Sequence, residues 1–262
     1  MTAPAHSLLE TVMRRRAVLE CLGDGPREKR GLTERLDVSR QTVDRSVREL
    51  EAAALVERAD EGYRLTLVGN LAYREFESLL ERYDRLRLAR DLLAYLPPET
   101  GLDVDCLLGA EVVHAGHPMP HEPVRELERL VESAAHLVGY SPIAFPQYVS
   151  LFYEQITRTD TEIELFLDAP LVEQLRSKYD EKLREGLAAP NFTLYRLSES
   201  LCPNMGILIA DGTTVWIGIY DETGNVRGSI TTEADSALAW ARTHLDGCRD
   251  HGREVRLRST GR

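Results

Sequence analysis

The chain has 262 residues, 43% of them hydrophobic, and a formal net charge of −11. That length suits one large or two modest domains with a real core, and the acidic balance excludes a uniformly basic nucleic-acid binder. No apolar run approaches the ~18 residues of a membrane helix, and Arg14, Arg15 and Arg16 interrupt any apolar leader, so a cytoplasmic protein without membrane contact is expected. In chain order, Ser7 is placed to cap a first helix whose apolar face holds Leu8, Leu9, Val12, Val18, Leu19 and Leu22. Gly23-Asp24-Gly25-Pro26 ends it. Arg27 to Leu36 reads as a second helix, with Leu32 and Leu36 inward, and Asp37-Val38 as a tight turn.

The stretch that follows carries the most information. Ser39 suits an N-cap, and Val43, Val47 and Leu50 fall at i, i+4 and i+7 on one helical face. Arg40, Gln41, Asp44, Arg45 and Arg48 take the opposite face. Two short helices, a turn and a third helix make a helix-turn-helix. Forked guanidinium donors and an amide on the third helix suit base edges and phosphates in a major groove. Leu55 to Arg58, a turn through Gly62, and Tyr63 to Leu65 read as a β-hairpin. A hairpin behind a recognition helix is a wing, and Arg58 and Arg64 flank its tip. The predicted DNA contacts are therefore Ser39, Arg40, Gln41, Thr42, Arg45, Arg48, Arg58 and Arg64.

Thr66 is read as the cap of a long helix from Leu67 to Leu96, stopped by Pro97-Pro98. Ala72, Phe76, Leu79, Tyr83, Leu86 and Leu93 step by four and three along it, as in a coiled coil. Pairing of two copies through Phe76, Leu79, Tyr83, Leu86 and Leu93 is expected, because paired winged helices can read two half-sites one DNA turn apart. The alternative is a helix packed along its own domain.

Beyond the prolines, helices and strands alternate. The apolar run within 104–113 suits a strand. Val124 to Ala135 reads as a helix, 136–140 as a strand ending at Ser141-Pro142, and Pro146 to Thr157 as a helix. Glu162 to Leu167 is a strand, and 169–186 a helix with Pro170 in its first turn. Residues 192–197, 206–210, 215–220 and 226–230 are strands, and Ala234 to Gly252 is a closing helix. The predicted architecture is multi-domain α/β: a winged helix-turn-helix in 1–66, a linker or dimerisation helix in 67–97, and a mixed α/β sensor or oligomerisation domain in 98–262.

Residues 1–96 carry 17 Lys and Arg against 17 Asp and Glu, and the remainder carries 15 against 26, so the acidic excess lies in the second part. Lys29, Lys178 and Lys182 are the only lysines. High acid with little lysine fits a salt-adapted, haloarchaeal proteome, and a GC-rich genome would also favour arginine. Cys21, Cys106, Cys202 and Cys248 are scattered and read as small core residues rather than a disulfide or zinc framework. The histidine-bearing stretch with His114, His117 and His121, near Glu111 and Glu122, is read as a Pro-rich connector, with no metal and no cofactor expected. Trp216 and Trp240 read as core or sheet packing. G-x-S-x-G, a phosphate loop and H-x-K pairs are all absent, so no catalytic residues are expected. A small effector, if one binds, is expected at the strand end at Ser141, with Asn204 and Tyr220 supplying polar groups.

Several segments of the second part are similar to those of the archaeal FilR-type transcriptional regulators. They are Gly139-Tyr140-Ser141-Pro142, Glu162 to Leu167, Asn191 to Tyr195, Gly206 to Asp211, Val215 to Tyr220 and Ala237 to Ala241. The resemblance implies a one-component regulator that reads DNA in front and senses or oligomerises behind. The C-terminal domain also resembles the phospholipase-D-like architecture of the sugar-responsive TrmB regulators, by fold analogy alone. The expected function is a dimeric, sequence-specific regulator on double-stranded DNA. Two alternatives stay open: an architectural binder with little sequence preference, and a ligand-binding or enzymatic domain whose winged helix serves protein contacts. The arginines decide the latter, since Arg45–Glu49 and Arg48–Glu51 lie at helical pairing distance.

Overall fold

A computed structural model describes residues 5–116, 122–200, 202 and 204–257. His117, His121 and most of the proline-rich connector lie outside the described residues. The chain divides into two compact units, Met1–Tyr83 and Asp84–Arg262.

The first unit holds α1 (Ala5–Gly23), α2 (Lys29–Leu36), α3 (Arg40–Ala52), β1 (Val56–Ala59) and β2 (Gly62–Leu65). The long α4 (Leu67–Leu93) starts in this unit and continues past Tyr83. Leu19, Leu32, Val47, Leu50 and Leu55 are fully buried together, which is the inward stripe that the helical spacing predicts. Ser7 lies inside α1 rather than at its start, its carbonyl accepting from the Thr11 hydroxyl. Arg27 lies outside α2. Its backbone exchanges two 2.9 Å hydrogen bonds with Tyr63, adding a third short partner to the β1–β2 hairpin. Gly62 closes that hairpin at φ 117°, where a Cβ would sit 2.3 Å from the Arg27 carbonyl oxygen. Thr66 accepts from the Gly69 amide at 2.9 Å and so caps α4 as expected.

The second unit is an eight-stranded mixed sheet between helices. After the end of α4 come β3 (Glu111–His114), α5 (Glu122–Ser133), β4 (His136–Ser141), α6 (Pro146–Arg158) and β5 (Glu162–Asp168). Next come α7 (Ala169–Lys178), α8 (Asp180–Ala188), β6 (Phe192–Leu197), β7 (Met205–Ala210), β8 (Thr214–Tyr220), β9 (Val226–Thr232), α9 (Asp235–His251) and β10 (Arg253–Glu254). The strand order is β10-β6-β5-β4-β7-β8-β9-β3. β4, β5 and β6 run parallel, and the other pairings are antiparallel. Alternation along the strands divides the core in two. Tyr140, Phe166, Ile207 and Ile217 pack with Trp240, Ala241 and Leu245 of α9. On the other face Leu137, Ile163, Leu208 and Trp216 pack with Val131 of α5 and with Tyr148 and Ile156 of α6. Among the described residues, no helix is long and apolar enough to cross a membrane.

Three expectations are corrected. The apolar run at 104–110 is not a strand. Val104–Leu107 is a 3-10 turn, with the Asp103 carboxylate accepting from the Asp105 amide, and Gly109 follows at φ 67°. Capping and a left-handed glycine bend the chain before pairing starts at Glu111. The single helix expected over 169–186 is two helices, broken at Tyr179 (φ −136°, ψ 35°). The proposed pairing stripe is also not wholly available. Phe76 is buried in the core of the first unit, and Leu93 packs against the core of the second. Leu79, Tyr83 and Leu86 remain exposed.

Candidate nucleic-acid interface

α3 is fixed on its inner side by Val43, Val47 and Leu50 and at its start by Ser39. The Ser39 hydroxyl accepts from the Thr42 amide at 3.2 Å and lies 2.9 Å from the Thr42 hydroxyl. Ser39, Arg40, Gln41, Thr42, Arg45 and Arg48 are all exposed. Arg40 and Gln41 make no hydrogen bond or ion pair among the described residues. Arg48 donates to the Asp44 carbonyl at 3.2 Å, not to Glu51. Arg45 pairs with Glu49 at 3.1 Å, yet its side chain is 72% exposed. An exposed i,i+4 pair contributes only about 0.3–0.5 kcal/mol, so the contact leaves Arg45 available to a stronger anion.

Two of the three acids on this helix, Asp44 and Glu49, have partners within the first unit. Lys29 of α2 donates to Asp44 at 2.7 Å, and Arg15 of α1 holds Glu49 at 2.8 Å. These hydrogen bonds from Lys29 and Arg15 keep both carboxyls below their usual range. Arg15 sits where α1 departs from helical geometry (φ −109°, ψ 16°), and its side chain is 13% exposed. The carboxylates thus tie α3 to α1 and α2, and their charge is answered from behind. Their repulsion of phosphate is correspondingly reduced. On the hairpin, Arg64 pairs with Glu57 at 2.7 Å across the strands, while Arg58 has no ion-pair partner among the described residues.

The second unit contains a cavity of about 130 Å³ between the sheet face and α6, α7 and α8. Ser141 and Tyr220 line it. The Ser141 hydroxyl donates to the Ile143 carbonyl at 2.6 Å. Burial pushes the Tyr220 hydroxyl up, against a hydrogen bond to Ser141. Asn204 does not line this cavity; its amide donates to the Tyr95 carbonyl at 3.0 Å.

Gly139 lines the cavity, and two further strand glycines lie beneath the aromatic side chains that face it. Gly206 and Gly218 are cross-strand partners, and a Cβ on Gly218 would lie 2.2 Å from the Trp216 ring and 2.9 Å from the Tyr220 hydroxyl. Both aromatic side chains lie against the bare backbone there. Lys182, Tyr148 and Trp216 also line the cavity, and sequence reasoning did not select them for a site. The available signal was the set of glycines inside strand patterns at 139, 206 and 218, which marks close approach to the backbone. His114, the described member of the histidine cluster, places Nε2 3.1 Å from the Leu88 carbonyl oxygen.

Two family models match the chain. The middle domain of the methanogenesis regulatory protein FilR1 matches residues 120–251, and the HVO_A0261 N-terminal domain matches residues 5–87. The methanogenesis regulatory protein FilR1 of Methanothrix harundinacea (strain 6Ac) is 23% identical over 228 residues, 82% of this chain and 50% of that protein. The chain therefore spans about half the length of this curated relative. TrmBL2, described as an archaeal chromatin protein with a novel mode of DNA binding, superimposes with a TM-score of 0.43 at 13% identity, covering 96% of this chain and 100% of its own. Nuc of Salmonella typhimurium, a phospholipase D family member, gives 0.44 at 14% identity, covering 56% of this chain and 98% of its own. Since one of the two family models covers half of its residues, the chain belongs to the family defined by the FilR1 middle domain.

Proposed function

We propose that this protein is a one-component, DNA-binding transcriptional regulator that acts as a dimer. α3 is its recognition helix, and the second unit senses a small molecule and has no catalytic role. One observation carries the reading: α3 exposes Arg40, Gln41, Thr42, Arg45 and Arg48 while Asp44 and Glu49 are occupied by Lys29 and Arg15 from behind. Ser39, Gln41, Thr42 and Arg45 meet bases or the phosphates next to them, and Arg48, Arg58 and Arg64 meet backbone or minor groove. Membership of the FilR1 family supports the same reading.

The test is a titration of promoter DNA from the protein's own gene, followed by fluorescence anisotropy in high salt. Arg45→Ala is expected to weaken binding by roughly 1–3 kcal/mol and to leave the unfolding transition unchanged. Unaltered affinity in a folded variant would remove α3 from the interface.

A further inference from the structure

The cavity of the second unit pairs an apolar surface with an unanswered cation. Its walls are mainly aliphatic and aromatic side chains from the sheet, α6 and α8. Tyr148 and Trp216 are 6% and 3% exposed, and among the described residues neither the Tyr148 hydroxyl nor the Trp216 indole N–H has a hydrogen-bond partner. Lys182 lines the same cavity. Its ammonium lies 3.3 Å from the Ser150 hydroxyl and 5.0 Å from the centre of the Tyr153 ring. No carboxylate among the described residues pairs with it, although residues 84–262 hold 28 Asp and Glu against 18 Lys and Arg.

These features select a ligand. A polyol would leave hydroxyls stranded against hydrocarbon, which is unfavourable. A hydrocarbon body gains from the apolar walls, and a cavity of this size is close to the ~150 Å³ that accommodates one benzene ring. An ammonium lacking an acidic partner favours an anionic end, and a carboxylate is the smallest common one.

We infer that this cavity binds a small apolar monocarboxylate, with its carboxylate at Lys182 and its hydrocarbon body against the aliphatic and aromatic side chains of the sheet face and α6. The assignment deepens the sensor reading of the second unit and rests on it only for the consequence at DNA.

The test uses the full chain, with calorimetric titration of phenylacetate, octanoate, 2-phenylethanol, 2-phenylethylamine and glucose. Phenylacetate or octanoate should bind, and the acid should exceed its matched alcohol by at least tenfold. The amine and glucose should be weaker than the alcohol. Lys182→Met should erase the advantage of the acid while keeping the affinity for the alcohol, and Lys182→Arg should retain it. Absence of binding by both acids, equal affinity of acid and alcohol, or an acid advantage that survives Lys182→Met overturns the assignment. If Lys182→Met fails to fold, the comparison of acid, alcohol and amine on the native protein decides alone. Promoter anisotropy with and without the bound acid separates the two readings. An acid that binds through Lys182 yet leaves DNA affinity unchanged sinks the sensor role and keeps the site. Promoter binding by a protein that takes up neither acid sinks the site and keeps the DNA-binding reading.

Discussion

At the scale of single residues, the carboxylates divide by what answers them. Asp44 and Glu49 are held ionised by cations from neighbouring helices. Asp168, at the end of β5, is 8% exposed, and one of its oxygens has no partner. Desolvation raises its pKa above the usual carboxylate range, against hydrogen bonds from Ser200 and Tyr140. The folded state therefore disfavours the ionised form. That penalty is absent at pH 3, where folded and unfolded chains both hold the proton, and it grows as pH rises through the unfolded carboxyl's pKa. Asp168→Asn is expected to raise stability against urea at pH 7, with the gain fading to nothing at pH 3. A less stable Asn variant at pH 7 would mean that the charge itself holds the strand end. Residues such as Asp168 are not legible in a sequence, because their energetics depend on groups distant in the chain. Ser39, by contrast, is legible, since its cap bond reaches only three residues on.

At the scale of elements, local patterns are the ones that sequence conveys. The i, i+4, i+7 spacing in α3 and the turn at Gly62 fix their structures through neighbours a few positions away. The break at Tyr179 carries no glycine or proline, so nothing local marks it. The strand order is set by pairings between distant segments, such as Leu137 with Ala210, and periodicity cannot report it. The cavity is invisible for the same reason: its lining residues from β4, β7 and β8 meet only when those strands lie side by side. On α4, the exposed Leu79, Tyr83 and Leu86 are the residues left for pairing two copies. Leu79→Glu together with Tyr83→Glu should convert a dimer to a monomer in sedimentation velocity, without loss of helix signal. An unchanged sedimentation coefficient would place the dimer contact elsewhere.

At the scale of the whole molecule, charge is partitioned along the chain. Residues 1–83 carry 14 Lys and Arg against 15 Asp and Glu, so almost all of the −11 falls on residues 84–262. In the proposed DNA-reading role, a nearly neutral first unit gains little from bulk attraction and must rely on positioned contacts. Arg58→Gln should lower the slope of log affinity against log salt by about 0.9, as loss of one phosphate contact implies. Affinities for promoter and scrambled DNA should fall together. A loss confined to the promoter would make Arg58 a reader of bases instead.

The four cysteines are free, and each is at most 5% exposed. Burial pushes the Cys202 thiol up, and the Cys248 thiol up to about 12. Thiolate is the reactive form, so Ellman's reagent should find no sulfhydryl in the native protein and four once guanidinium is added. Rapid native reaction would mean that one of these side chains opens to solvent. With the natural thiols silent, Arg58→Cys would take a maleimide dye at the hairpin alone. The chain is thus ready for distance measurements between the two hairpins of the proposed dimer on DNA, with no background cysteines to remove.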